Sequence, residues 1–284
     1  MKALGWGLIG TVAGAVLALA AYAPAAWLAR AAASATSERL LLADARGTVW
    51  QGSAVVVLTG GAGSRDASAL PGRVHWSLGL DGAALGLRAR HACCIVDEMR
   101  LRVVPGLTRL RLELLPVPAG SGNSKAGGVG KSIGHWPASW LAGLGTPWNT
   151  LQPSGTLLLS SPGMQLEQVQ GRWLFSGRAD FELAQIASRV STLAVLGSYR
   201  VTISGEGAQG SGGPAQGGAA SIQLSTVSGA LQLQGNGSLL GTGSGSRLRF
   251  IGQASAAPGS EAVLSNLLNI IGRRQGAVSV ITIG

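Results

Sequence analysis

Hydrophobic and polar positions alternate in three ways along this chain. The first pattern is an uninterrupted apolar run, because no charged residue lies between Lys2 and Arg30. Taken as a helix, Leu4–Leu28 is about 25 residues and ~37 Å long, enough to cross a hydrocarbon core of ~30 Å with some tilt. Trp6, Tyr22 and Trp27 lie towards its two ends, where amphipathic rings favour the headgroup level, and Pro24 lies near the exit. The small residues Ala31–Ala35 would also suit cleavage of a signal peptide. An apolar signal region usually spans only about 7–15 residues, so an uncleaved anchor over residues 1–30 is the reading adopted. Either reading delivers residues 31–284 to the far side of a membrane.

The second pattern has period two and predicts strands. Val74, Trp76, Leu78 and Leu80 share one face, with His75, Ser77 and Gly79 on the other. Met99, Leu101 and Val103 alternate with Arg100 and Arg102. After a turn at Pro105-Gly106, Leu110, Leu112 and Leu114 alternate with Arg109, Arg111 and Glu113. This is an antiparallel hairpin with one buried and one wet face. Further strands are expected at Tyr199–Ile203, Leu231–Leu233, Leu248–Phe250 and Val278–Val280.

Helical spacing, the third pattern, is rare. Leu183, Ile186, Val190 and Leu193 predict a helix ending at Gly197, with Asp180 as its cap. Val263, Leu264, Leu267, Leu268 and Ile271 predict another, from Ser260 to Gly272. A third short one is expected at Ser139–Leu144, where Pro137 suits a first helical position and Gly145 a stop. Trp136 and Trp140 are then four apart on one face, with Trp148 close by. They form candidate partner-binding aromatics, or else cap an open edge of the domain's own core.

Composition adds turns and a charge. Forty-five glycines, against three Phe and two Tyr, suggest many tight turns between short strands. Pro116–Gly134 and Gln209–Gly218 read as loops, the first joining two halves at about 38–115 and 150–284. The halves share a block. Leu42, Gly47, Trp50, Gly52 and Ala54 are echoed by Leu166, Gly171, Phe175, Gly177 and Ala179. A shared β-corner explains the echo, with glycine permitting close backbone approach and the aromatic covering it. The fold class is therefore mainly β: one N-terminal transmembrane helix, then a largely antiparallel sheet (sandwich, roll or open groove) with two or three short helices.

The formal charge of +10, from 22 Lys+Arg against 12 Asp+Glu, is spread too thinly for nucleic acid, which needs a continuous basic stripe. Catalytic constellations are missing from the sequence. Gly127–Ser132 imitates a phosphate loop, but Lys125 stands where the first glycine belongs. Gly241–Gly245 precedes strand-like residues and reads as a turn. His75, His91 and His135 are scattered, without metal-ligand spacing, and are expected at the surface or as satisfied core residues. No cofactor and no small-molecule substrate is expected. Cys93-Cys94 is chemically odd: two small residues in a strand region, a disulfide between neighbours, or a link between chains.

Taken in order, the anchor, the Gly47–Ala54 block, the Pro71-x-x-Val74-x-Trp76-x-Leu78 strand and Leu264–Gly272 resemble the type II secretion system protein N family. The resemblance implies a non-enzymatic accessory subunit on the inner-membrane side of a bacterial secretion machine, and Lys2 with the amino terminus places the start in the cytoplasm and the sheet in the periplasm. It would touch other secretion components through protein contacts and membrane lipid through its anchor. The alternative is an anchored β-groove protein handling lipid or glycolipid.

Overall fold

In the computed structural model all residues are described except 1–10, 12–13, 16–17, 107–108, 116–130, 170–171, 207–219 and 243–244. The loop Gln209–Gly218, most of Pro116–Gly134, Gly171 and Trp6 thus lie outside the described residues. The first half contributes β1 (Leu40–Gly47), β2 (Gln51–Thr59), β3 (Ala67–Ala69), β4 (Val74–Asp81), β5 (Ala84–His91), β6 (Met99–Pro105) and β7 (Arg109–Leu115). The remainder contributes β8 (Lys131–Pro137), β9 (Pro153–Val169), β10 (Arg172–Ser188), β11 (Gly197–Glu206) and β12 (Ala220–Gly229). It ends with β13 (Leu231–Thr242), β14 (Gly245–Ala256), β15 (Arg273–Gln275) and β16 (Val278–Ile283). All of them join one 16-stranded sheet, ordered β1-β2-β4-β5-β6-β7-β9-β10-β11-β12-β13-β14-β16-β15, with β3 branching from β2 and β8 from β9. Each described pairing is antiparallel, as expected when most connections are short hairpins.

Directly opposed residues in an antiparallel ladder share a face, so the registers carry each face from strand to strand. On one face His75 opposes Arg90, Arg88 opposes Arg100, and Arg102 opposes Glu113. Farther along, Asp180 opposes Thr202 and Gln223 opposes Asn236. On the other face Leu87 opposes Leu101, Val103 opposes Leu112, Leu114 opposes Met164, Phe181 opposes Val201 and Ile203 opposes Ile222. The result is one polar and one apolar face along most of the sheet.

Among the described residues, two separate clusters of buried apolar side chains are packed on the sheet. Near the N-terminal edge Trp76, Ala54 and Ala25 pack together. Towards the other end the helix Glu261–Ile271 presses Leu264, Leu267 and Leu268 onto Ile186, Tyr199, Leu231 and Ala254. Between the clusters Leu114, Ala179 and Ala220 are buried, while the larger Leu101, Val103, Leu112, Phe175, Ile203 and Ile222 are half-buried.

Several expectations change. Leu183–Leu193 is not a helix: β10 continues to Ser188, paired with β9 and β11, and a turn follows. Gln185 has φ +51° and marks a bulge between Leu183 and Ile186. One extra residue puts positions three apart on the same face, which imitates helical spacing. Val190 and Leu193 pack on the core from the turn, so the apolar spacing is real and its geometry is not helical. The C-terminal helix matches its prediction almost to the residue.

The apolar N-terminal run is interrupted. The described residues from Thr11 to Ala21 are helical, but Pro24 bridges Thr48 and a new helix runs Ala25–Ala35. A proline fits the residue before a helix and not its interior, so the chain turns there. Ala25 is 1% exposed, packed with Ala54 and Trp76 of the sheet. No helix among the described residues is long and apolar enough to cross a membrane.

Glycine has a second task that composition concealed. An added Cβ at Gly52 would lie 2.4 Å from Trp76 Cζ2, and one at Gly235 2.5 Å from Phe250 Cζ. At Gly205 it would meet Phe175 Cδ1 at 2.8 Å. Many glycines are thus hollows inside strands that receive aromatic rings from neighbouring strands.

The two halves meet through β7 and β9, paired from Arg109↔Val169 to Leu114↔Met164. A fragment ending at Pro116 leaves β7 an open edge and lacks the second cluster. It is expected to show no cooperative urea transition, and a sharp one would establish the first half as an independent domain.

Candidate functional site

The polar face carries guanidinium groups from β5, β6, β7, β10 and β11. Most of their partners are carboxylates nearby on the sheet. Glu98, 8% exposed, is gripped by Arg90 at 2.7 Å and Arg100 at 2.8 Å. Arg109 and Arg111 approach Glu167 at 3.9 and 3.5 Å. Asp180, expected as a helix cap, is 3% exposed in β10, where Arg178 Nε and Nη2 each reach it at 2.9 Å and the Thr202 hydroxyl donates at 2.7 Å. Glu98 and Asp180 are clamped by hydrogen-bonded arginines, whereas Glu167 is held by charge alone and its Oε1 accepts no hydrogen bond.

Burial pushes the Asp180 carboxyl upward, but the Arg178 and Thr202 hydrogen bonds and the nearby guanidinium charges outweigh it and hold the group below its ordinary value. A carboxyl that titrates lower when folded contributes its full stability above the unfolded value, near pH 4, and loses it as pH falls through the folded one. Asp180→Asn is expected to flatten the loss of stability below about pH 4. An unchanged acid slope in urea titrations would reject this clamp.

The repeat block falls on two hairpins, β1–β2 and β9–β10. Gly47, at φ +87°, opposes Gly52, and a Cβ on it would meet the Gln51 carbonyl oxygen at 2.5 Å. Gly177, at φ +96°, lies against the Gly163 carbonyl in the same way. A Cβ has no room at either glycine, and the aromatic over Gly52 is not the one in the motif. Trp76 lies over Gly52, while Trp50 donates its indole N–H to the Ala20 carbonyl at 2.7 Å. Val49 N–H bonds Ala23 O at 2.8 Å, so this corner grips the end of the apolar N-terminal segment. Phe175 covers Gly205 of the adjacent strand.

Lys131-Ser132 begin β8, opposing Ser161 and Ser160, where a phosphate loop would need a helix. This also shortens the predicted loop. Trp136 belongs to β8, opposite Leu157, whereas Trp140 lies in a 3-10 helix, Ala138–Leu144, and Trp148 opens the short helix Trp148–Leu151. Trp136 and Trp140 therefore do not share a helix face. All three are half-buried, and Trp140 Nε1 is buried with no acceptor. Ser139, Ala142, Asn149 and Gln152 from this segment wall an open cleft of about 660 Å³, faced by Arg65, Asp66 and Arg189.

Cys93 and Cys94 form a disulfide in the turn between β5 and β6, and not in a strand. Beside them His91 is 4% exposed; burial lowers its pKa, and its Nε2 has no partner. It is neither a surface residue nor a satisfied core residue. Spacing did not reveal this corner, because a turn brings together residues two and three apart; the adjacent cysteines were its only sequence signal.

A model of the type II secretion system protein N family matches residues 38–281, which is most of the chain and nearly all of the sheet. The chain belongs to the type II secretion system protein N family. No curated protein and no solved structure matches it significantly. Membership ties the sheet, from β1 almost to the end of β16, to a secretion machine. The family match covers the Arg-rich face, the disulfide turn and the tryptophan segment alike.

Proposed function

We propose that this chain is a non-enzymatic inner-membrane accessory subunit of the type II secretion system, assisting export of folded proteins from the periplasm across the outer membrane. Its N-terminal segment is the anchor, with a cytoplasmic start and a periplasmic sheet. The observation that carries the reading is the shape of the sheet. Fourteen strands in line, spaced about 4.8 Å apart, give a contour of roughly 60 Å from β1 beside the anchor segment to β15. Such a sheet spaces and joins other components, while its buried acids serve its own ladders. Tyr22 and Trp27, 79% and 49% exposed beside that segment, suit a membrane interface.

Partner contact is assigned to the half-buried tryptophans of the Trp136–Trp148 segment and to the neighbouring cleft, which Arg65 and Arg189 line. Neither nucleic acid nor a small-molecule substrate enters the scheme. The test is complementation of a strain lacking this chain, with recovery of cross-linked secretion components by mass spectrometry. Trp140→Ala and Trp148→Ala together are expected to reduce secretion and partner recovery at an unchanged unfolding midpoint. Normal secretion and recovery remove the segment from the contact, and a lowered midpoint assigns it to the domain's own packing. Intact mass tests the anchor: a mature chain starting near Ala35 would show that the segment is cleaved.

One observation favours a second reading, a β-groove that handles lipid or glycolipid: the apolar face between the two clusters is only half-buried. Solvent extraction of the purified chain followed by lipid mass spectrometry separates the readings, since an adaptor carries no stoichiometric acyl chain.

A further inference from the structure

The turn after β5 holds three groups of one chemical kind. A ring nitrogen of His91 and the sulfurs of Cys93 and Cys94 all lie within 4.8 Å of one another. The imidazole has little structural reason to be there. Its Nδ1 accepts only a 3.3 Å bond from the Cys93 N–H, and its Nε2 is buried without a partner. A buried polar atom left unpaired costs free energy, so a native turn that keeps one calls for an explanation.

The backbone of the turn is held independently of the disulfide. His135 N–H donates to the Cys94 carbonyl at 2.9 Å, and Val96 N–H donates to the Ile133 carbonyl at 2.9 Å. Gly134 makes this seating on β8 possible, because a Cβ there would lie 2.4 Å from the Cys94 oxygen. Opening the disulfide therefore leaves Cys94 anchored to β8, with Cys93 adjacent to it in the chain and its N–H on His91 Nδ1.

We propose that the reduced turn is a three-ligand site for a soft closed-shell cation, Cu(I) or Zn(II), held by the His91 ring and the Cys93 and Cys94 thiolates. A dithiol reductant supplies two electrons and two protons as it closes its own disulfide, and the Cys93–Cys94 bond opens to two thiols. Cation binding releases both thiol protons to solvent. A tetrahedral cation with Zn–S near 2.3 Å needs its two sulfurs ~3.8 Å apart, which adjacent residues reach once the bond between them is open. The ring nitrogen, already within 4.8 Å of the sulfurs, completes a mixed N and S donor set, which selects soft cations over Mg(II) or Ca(II). In the oxidised state the sulfurs are bonded to each other and the site is closed.

The experiment uses the full chain in detergent, reduced by a phosphine (itself oxidised to the phosphine oxide) and freed of excess reagent. Cd(II) is titrated while the ultraviolet thiolate charge-transfer band is followed, and Cu(I) is titrated in competition with a chromophoric chelator. One equivalent is expected to bind the reduced chain and none the oxidised chain. His91→Gln keeps an acceptor for the Cys93 N–H but offers no soft nitrogen; it is expected to keep the band and weaken binding at least about tenfold. Cys93→Ser and Cys94→Ser are each expected to lose the band. Because a cysteine variant that loses the turn also loses the band, the His91→Gln arm, with both cysteines present and an unchanged melting curve, carries the decision. Equal affinity of His91→Gln and the parent chain overturns the three-ligand site. Binding by the reduced parent no tighter than by the doubly substituted Cys93→Ser/Cys94→Ser chain overturns metal binding altogether.

Discussion

Replacing Trp76 by alanine is expected to cost about 3–5 kcal/mol of folding stability. The ring is 7% exposed on the apolar face of β4, packed with Ala54 and Ala25. Leu42, Val74, Leu78 and Leu87 pack around the same cluster, and the hollow left by Gly52 receives the far edge of the indole. Alanine leaves most of that volume empty, and strands tied by ladder bonds on both sides collapse poorly into it. It also orphans the Val49 carbonyl, which accepts the indole N–H at 3.0 Å. That carbonyl belongs to the corner that grips the N-terminal segment, so the helix Ala25–Ala35 should loosen with the core. Urea unfolding of the detergent-solubilised chain, followed by circular dichroism, measures the cost; a loss below about 1 kcal/mol would mean that the ring is not a core element.

Leu268→Ala is the second large effect, expected at about 2–5 kcal/mol. Leu268 is fully buried on the helix Glu261–Ile271 and seals the other cluster with Leu264 and Leu267. Its backbone carbonyl accepts the Ser279 hydroxyl at 2.7 Å, which ties the helix to β16 and leaves little room for the helix to settle into a cavity. Trp76 and Leu268 belong to separate clusters with no shared partner. In the doubly substituted chain the two costs should therefore add within about 0.5 kcal/mol. Both substitutions should shift one common transition, because the ladder from β2 to β14 is unbroken. Two resolved transitions, each sensitive to one substitution, would instead show that the halves unfold separately.

Period-two alternation located β4, β6, β7, β11, β13, β14 and β16 because each has one face towards apolar neighbours and one towards water or ion pairs. The same logic failed at Leu80, which is 81% exposed near the end of β4, beyond the packed part of the sheet. It failed differently at Leu183–Leu193, where a bulge shifts the phase by one residue and a local pattern cannot distinguish that from helical turns. Glycine content announced turns, yet much of it serves aromatic rings on adjacent strands, a relation between residues far apart in the chain. Gly47, Gly52 and Gly177 stand out in the sequence, whereas the ring that covers Gly52 lies in β4. Asp180 read as a cap because only cross-strand pairing brings Thr202 to it.

The sequence by itself determined the class of this protein: an apolar N-terminal run, alternating strands, a C-terminal amphipathic helix, and motifs in the order that marks the family. Those are properties of neighbours in the chain, set by side-chain period and backbone preference. Only the tertiary structure decided that both halves share one sheet and that its apolar face is packed at two places and half-open between them. It alone decided that Pro24 breaks the N-terminal run against Thr48, and that His91 faces a disulfide in a turn. Each depends on strand pairing across long separations, where register, set by the whole ladder, determines which residues meet.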